Sequence, residues 1–168
     1  MSESGIEILI ILLLVLLNGV FSLSEMSVVS SRKARLQQRA NDGDAGAFNA
    51  LQLAENPNTL LSTIQIGITL IGVLSGAVGG VGISNSLALW FATFPLLEPY
   101  ASTLGVGIVV LAITFLTLIL GELVPKRLAL HSPERIASVI AAPMSLISRI
   151  FSPLVYAMGA TTDLVLRI

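Results

Sequence analysis

Ile6 to Val29 is long enough to cross a bilayer as one helix, because about 20 helical residues span the hydrocarbon core. Its first half is nearly pure Ile, Leu and Val, but its second half turns polar without stopping, at Asn18, Ser22, Ser24, Glu25 and Ser27. Asn18, Ser22 and Glu25 follow i, i+4, i+7 spacing and share one face, while Ser24, Ser27 and Ser31 make a second. Lipid cannot satisfy such a face, so it must pack against protein or water. With 11% charged residues and a mean hydropathy of +0.90, against roughly 25% charged in soluble domains, the chain is a membrane protein by composition, and its long apolar runs read as an all-α fold. An acidic start, Met1-Ser2-Glu3, and the lack of a small-x-small site argue against a cleaved signal peptide.

Residues 30–56 read as a cytosolic juxtamembrane segment. Arg32, Lys33, Arg35 and Arg39 lie along the headgroups, Asn41-Asp42-Gly43-Asp44 makes a turn, and Ala45 to Glu55 forms a short amphipathic helix. Asn56-Pro57 is a helix start, with Asn as cap and Pro in the first turn. The second span, 58–80, repeats glycine at Gly72, Gly76 and Gly80, which predicts close helix packing, within the chain or as a homodimer seam. Leu87 to Phe94 is too short to cross and reads as a re-entrant or interfacial helix, with Trp90 and Tyr100 as anchors. A third span covers 103–122. Ser132-Pro133-Glu134 reads as a further helix start. Pro133, Pro143 and Pro153 cut the apolar segment 132–168 into juxtamembrane helices, and Arg149 argues against a fourth crossing there.

All 9 basic residues follow the first span or the third: Arg32, Lys33, Arg35, Arg39, Lys126, Arg127, Arg135, Arg149 and Arg167. The positive-inside rule then gives three crossings, with the N-terminus outside and the C-terminus cytosolic. Enzyme classes find no support: cysteine is absent, no His-Glu-x-x-His occurs, and no serine in the spans has a histidine partner. No basic patch is dense enough for nucleic acid.

A second polar interruption, Gly121-Glu122-Leu123-Val124-Pro125-Lys126, closes the third span. Pro125 has no N–H, so the carbonyl four residues back, Gly121, is expected to be bare beside the Glu122 carboxylate. A carboxylate at bilayer depth is expensive and marks a site by default. Paired with a peptide oxygen it suits a hard cation. An ordinary Glu122–Lys126 helix pair is the competing reading. At about 1.5 Å per residue, Glu25 and Glu122 sit roughly 6–10 Å inside the cytosolic helix ends, Gln65 about 12 Å, Ser22 about 15 Å and Thr69 about 18 Å. The candidate cation ligands are therefore Ser22, Gly121, Glu122, Glu25, Thr69 and Gln65. Glu25 equally suits a cap or a pair with Arg32, and Gln65 and Thr69 equally suit interhelical hydrogen bonding. His131, the only histidine, is expected to be solvated.

The run from Asn18 to Glu25, the basic Arg32-Lys33-Ala34-Arg35-Leu36, and Gly121 to Lys126 together resemble the transmembrane domain of the CNNM/CorC family, the cyclin M-like divalent-cation transporters. The resemblance implies a homodimer with three membrane helices per subunit and a belt of juxtamembrane helices. It implies Mg²⁺ extrusion from a bacterial or archaeal plasma membrane, with Na⁺ proposed as coupling ion and Ser22, Gly121 and Glu122 holding the ion. Where magnesium members often carry Asn after the Gly of the second span, this chain reads Gly67-Ile68-Thr69. That departure looks more like a branch linked to other cargo, including polyamines. A membrane anchor and dimerisation module for cytosolic sensors is a further reading of a different class. The family's ATP-binding CBS pair is absent from the chain, which is expected to be a membrane domain of a longer protein.

Overall fold

The computed structural model describes residues 3–166 as helices joined by short turns. Arg167 and Ile168, the end of the expected 132–168 segment, lie outside the described residues, as do Met1 and Ser2. The helices are α1 (Glu3–Ser30), α2 (Lys33–Asn41), α3 (Ala45–Glu55), α4 (Pro57–Val78), α5 (Ser84–Phe91), α6 (Ala101–Leu118), α7 (Val124–His131) and α8 (Pro133–Leu166). Single π-helical turns, Gly79–Ile83 and Ile119–Leu123, join α4 to α5 and α6 to α7. The expected helix starts at Pro57 and Pro133 are both present.

Three differences from the sequence reading have physical causes. The second span does not stop at Gly80, because the π turn carries the helix on to Phe91. Pro125 does not break the third span. One widened turn absorbs it: Val124 N–H donates to the Ile119 carbonyl, five residues back, and the helix continues to His131. Pro143 and Pro153 likewise sit inside the unbroken α8. Four helical stretches among the described residues, Ser4–Ser30, Pro57–Val78, Glu98–His131 and Pro133–Leu166, are long and apolar enough to cross a membrane. The first and third contain the expected spans 6–29 and 103–122, the second covers 58–78 of the expected 58–80, and the fourth is the segment expected along the membrane face.

The chain divides into two compact units. The first takes the start of α1, α4 from Ile68, and the chain on to Pro125. Ile11, Val15, Ile71 and Val109 form its apolar centre. Here α5 packs on α6, and Gly105 sets their distance: a Cβ there would lie 2.6 Å from the Ser84 carbonyl oxygen. The expected anchors Trp90 and Tyr100 are both exposed.

The second unit takes α1 from Phe21, α2, α3, α4 to Gly67, and Lys126 through α8. Small residues bring α3 against α8: Ala47, Ala50, Ala137 and Ala141 are buried, and a Cβ at Gly46 would lie 2.5 Å from the Ser138 carbonyl oxygen. Leu36, fully buried, is the one large side chain α2 contributes to the core. The expected turn between α2 and α3 is present. Gly43 adopts a φ of 93°, which glycine takes without strain.

Asp44 caps α3 by accepting from the Ala47 N–H at 2.9 Å, and Arg39 reaches the same carboxylate at 2.7 Å. The Ala47 N–H and the Arg39 guanidinium hold the Asp44 carboxyl below its ordinary value of 3.8. A folded value below the unfolded one means stability that is present above the ordinary value and lost as pH falls through the lowered one. The Ala47 amide resonance is therefore expected to hold steady from neutral pH down to about pH 4, and to move as the cap protonates below it.

Candidate functional site

Within the first unit the polar group is built by α1 and the π turn before α7. A Cβ at Gly19 would lie 3.1 Å from the Leu120 carbonyl oxygen and 3.1 Å from Pro125 Cγ. A Cβ at Gly121 would lie 2.9 Å from Asn18 Nδ2 and 3.3 Å from the Val15 carbonyl oxygen. Glycine on both sides thus lets the two backbones approach. Asn18, 3% exposed, uses that closeness: its Nδ2 donates to the Gly121 carbonyl at 3.0 Å. The carbonyl expected to be bare is therefore capped from α1, which replaces the N–H that Pro125 lacks. A peptide oxygen has two lone pairs, and the amide uses one of them. Glu122 is half-buried and follows directly in the same turn.

The second unit holds the serine faces of α1. Ser22, Ser24 and Ser27 are all fully buried. Ser27 donates to the Ser24 carbonyl at 3.1 Å and Ser31 to the Ser27 carbonyl at 2.6 Å, the self-bonding common for helix serines. Ser22 differs, because its hydroxyl oxygen is buried without a hydrogen-bond partner among the described residues. Burying a hydroxyl unpaired costs about 1–3 kcal/mol, a cost that Ser75 and Ser148 share. Glu25 is half-buried, and its carboxylate lies 3.6 Å from Lys126 Nζ rather than beside Arg32. The far end of the Phe21 ring reaches Gly67, where a Cβ would come within 2.8 Å of Cζ.

The α4 residues are placed otherwise. Gln65 and Thr69 are exposed, as are Gly72, Gly76 and Gly80, and a Cβ at any of these three glycines meets nothing within 4 Å. Within the chain, then, this stripe packs no helix closely. The glycines that do are Gly19, Gly46, Gly67, Gly79, Gly82, Gly105 and Gly121. Gln65 and Thr69, four apart, continue the stripe three residues before Gly72. That makes one open face of α4 out of residues expected as ligands and residues expected as a seam.

Glu7 escaped the sequence reading. One of its carboxylate oxygens is buried without a partner among the described residues, against Gly82 in the other π turn, where a Cβ would collide with it. The signal was available, because Glu7 precedes Asn18 by eleven residues, three helical turns, on the same face of α1. No group of three or more His, Asp or Glu that could hold a metal occurs among the described residues. A cation in this chain would be met chiefly by peptide, hydroxyl and single carboxylate oxygens, a donor set that suits Mg²⁺ with part of its water retained.

A family model described as the cyclin M transmembrane N-terminal domain matches residues 8–168. The chain is 51% identical over 167 residues, 99% of its length, to a UPF0053 protein of Synechocystis sp.. It is 31% identical over 170 aligned positions to a protein of Haemophilus influenzae named polyamine export protein, and 30% identical over 162 to one of the same name in Escherichia coli. Each of these alignments covers 96% of the chain. The chain spans little more than a third of the length of these relatives, 37%, 37% and 36% respectively.

Proposed function

Because the chain belongs to the family of cyclin M transmembrane N-terminal domains, we propose that it carries a small cation outward across a membrane, with Mg²⁺ as cargo and Na⁺ as coupling ion. The observation that supports this most is the π turn at Ile119–Leu123, where Gly121, its carbonyl engaged by Asn18, is followed directly by Glu122. Glu122 supplies charge, and the peptide oxygen replaces a water. Within the second unit, Ser22, whose buried hydroxyl has no hydrogen-bond partner among the described residues, is a cargo contact of its own, and Glu25 is held by Lys126.

The crossings are Ser4–Ser30, Pro57–Val78 and Glu98–His131, with the N-terminus outside as the basic residues direct. The open α4 face of Thr69, Gly72 and Gly76 meets a second copy, since exposed small residues let backbones approach in lipid. In the longer protein an ATP-binding CBS pair follows.

A second reading keeps the transport and changes the cargo to a polyamine, and the names of the Haemophilus and Escherichia relatives favour it. Its chemistry needs single, separated carboxylates rather than a tight cluster, and the absence of any three-residue metal group among the described residues is consistent with that. Flux into and out of proteoliposomes, measured for Mg²⁺, spermidine and Na⁺ against protein-free vesicles, separates the cases. Mg²⁺ flux that follows a Na⁺ gradient is the expected result. Spermidine flux alone moves the protein to the second reading. No flux of either cargo leaves only a membrane anchor for cytosolic domains.

A further inference from the structure

In the second unit, α1 ends at Ser30, α7 ends at Leu130 and His131, and α8 begins at Pro133. Together with α2 they enclose a cleft of about 700 Å³. Four guanidiniums line it, those of Arg32, Arg35, Arg39 and Arg135, against two carboxylates, Asp42 and Glu134. The carboxylates do not balance the arginines. Arg39 is engaged outside the cleft by Asp44 at 2.7 Å, and Arg35 stands 3.9 Å from Glu134. Glu134 also accepts the Arg32 backbone N–H at 3.3 Å, closing the start of α2. The side chains of Arg32 and Arg135 have no ion pair or hydrogen bond among the described residues. Two unused planar forks in one recess are what a phosphate takes in bidentate fashion, and an ammonium in either place would not match it.

The surroundings decide which phosphate. The cleft opens where α1 and α7 end; Leu130, 53% exposed, lines it, and exposed Val29 and Leu128 lie one and two residues along those helices from its lining residues Ser30 and Leu130. A soluble anion has no use for that apolar rim. An acyl chain does. We infer that this cleft holds the phosphate of an anionic phospholipid, with the lipid tail along Val29, Leu128 and Leu130. The site is independent of the transported cargo, and its occupancy fastens the α1, α2 and α8 junction to the headgroup layer.

The test uses the 168-residue chain in detergent micelles, with short-chain phosphatidylglycerol, short-chain phosphatidylcholine and inorganic phosphate titrated at matched ionic strength, and lipid retention read by native mass spectrometry. Phosphatidylglycerol is expected to be retained well above phosphatidylcholine. Each charge-assisted hydrogen-bonding fork is worth roughly tenfold, so the pair Arg32→Gln and Arg135→Gln should lower that preference about 100-fold. Arg32→Lys with Arg135→Lys keeps the charge but not the fork and should recover only part of it. Lys33→Gln with Arg127→Gln removes the same charge from outside the cleft and should change little. Equal retention of the two lipids, or equal effects of the cleft and control pairs, would overturn the inference. So would displacement of phosphatidylglycerol by millimolar inorganic phosphate, which would assign the cleft to a soluble anion. Helicity by circular dichroism confirms that each variant is folded before it is scored.

Discussion

Glu122→Gln is expected to reduce cation flux in proteoliposomes to the level of protein-free vesicles, with helicity and assembly unchanged. Glutamine keeps the shape and one oxygen but removes the charge, in a turn where the neighbouring peptide oxygen is already shared with Asn18. Removing one partner from a desolvated charge contact costs about 2–5 kcal/mol, which is roughly 30- to 3,000-fold in occupancy of the cation. Because the carboxylate is half-buried, the loss should fall in the middle of that range. The comparison runs at saturating and subsaturating cargo. A pure affinity loss is recovered at high concentration, whereas a carboxylate needed for the moving step is not. Unchanged flux at both concentrations would remove Glu122 from the path, and with it the reading built on the π turn.

The second large effect is structural and has opposite signs two residues apart in α6. Gly105→Ala puts a methyl 2.6 Å from the Ser84 carbonyl oxygen and 3.0 Å from the Ala88 nitrogen. Both are backbone atoms, so α5 must move away from α6, and overpacking of this kind costs about 1–3 kcal/mol. Gly107→Ala meets nothing within 4 Å, and in a helix interior alanine is better than glycine by about 0.5–1 kcal/mol. Thermal unfolding in one detergent should therefore place Gly105→Ala below wild type and Gly107→Ala at or above it. Two equal shifts would mean that α5 does not rest on α6 as described.

That pair also shows how far the sequence could be read. Apolar length announced the long helices, and Pro57 and Pro133 announced two of their starts, because chain ends of helices leave local chemical marks. Asn41 to Asp44 announced its turn for the same reason. A π turn leaves no such mark: one extra residue in a helix alters neither composition nor hydropathy, so the stretch around Gly121 read as a break. Asn18 stood out as a buried polar residue, but its partner lies 103 positions away and no local spacing encodes that. Glycine spacing drew attention to Gly72, Gly76 and Gly80, while the packed positions are scattered ones such as Gly46 and Gly105, where a neighbouring backbone rather than a repeat requires the missing side chain. The cleft was visible only as a basic flank, since Arg135 joins Arg32 through the fold and not through the sequence.

The two prolines inside α8 bear on where that helix can reside. Pro143 and Pro153 each withhold an N–H, so the carbonyls of Val139 and Arg149 have no helical donor. Both residues lie on open surface, Val139 at 73% exposure. A lone peptide oxygen in hydrocarbon is penalised by several kcal/mol, and α8 carries two of them ten positions apart. Hydration at both points removes the penalty, and so does a hydrogen-bond donor supplied by a neighbouring helix.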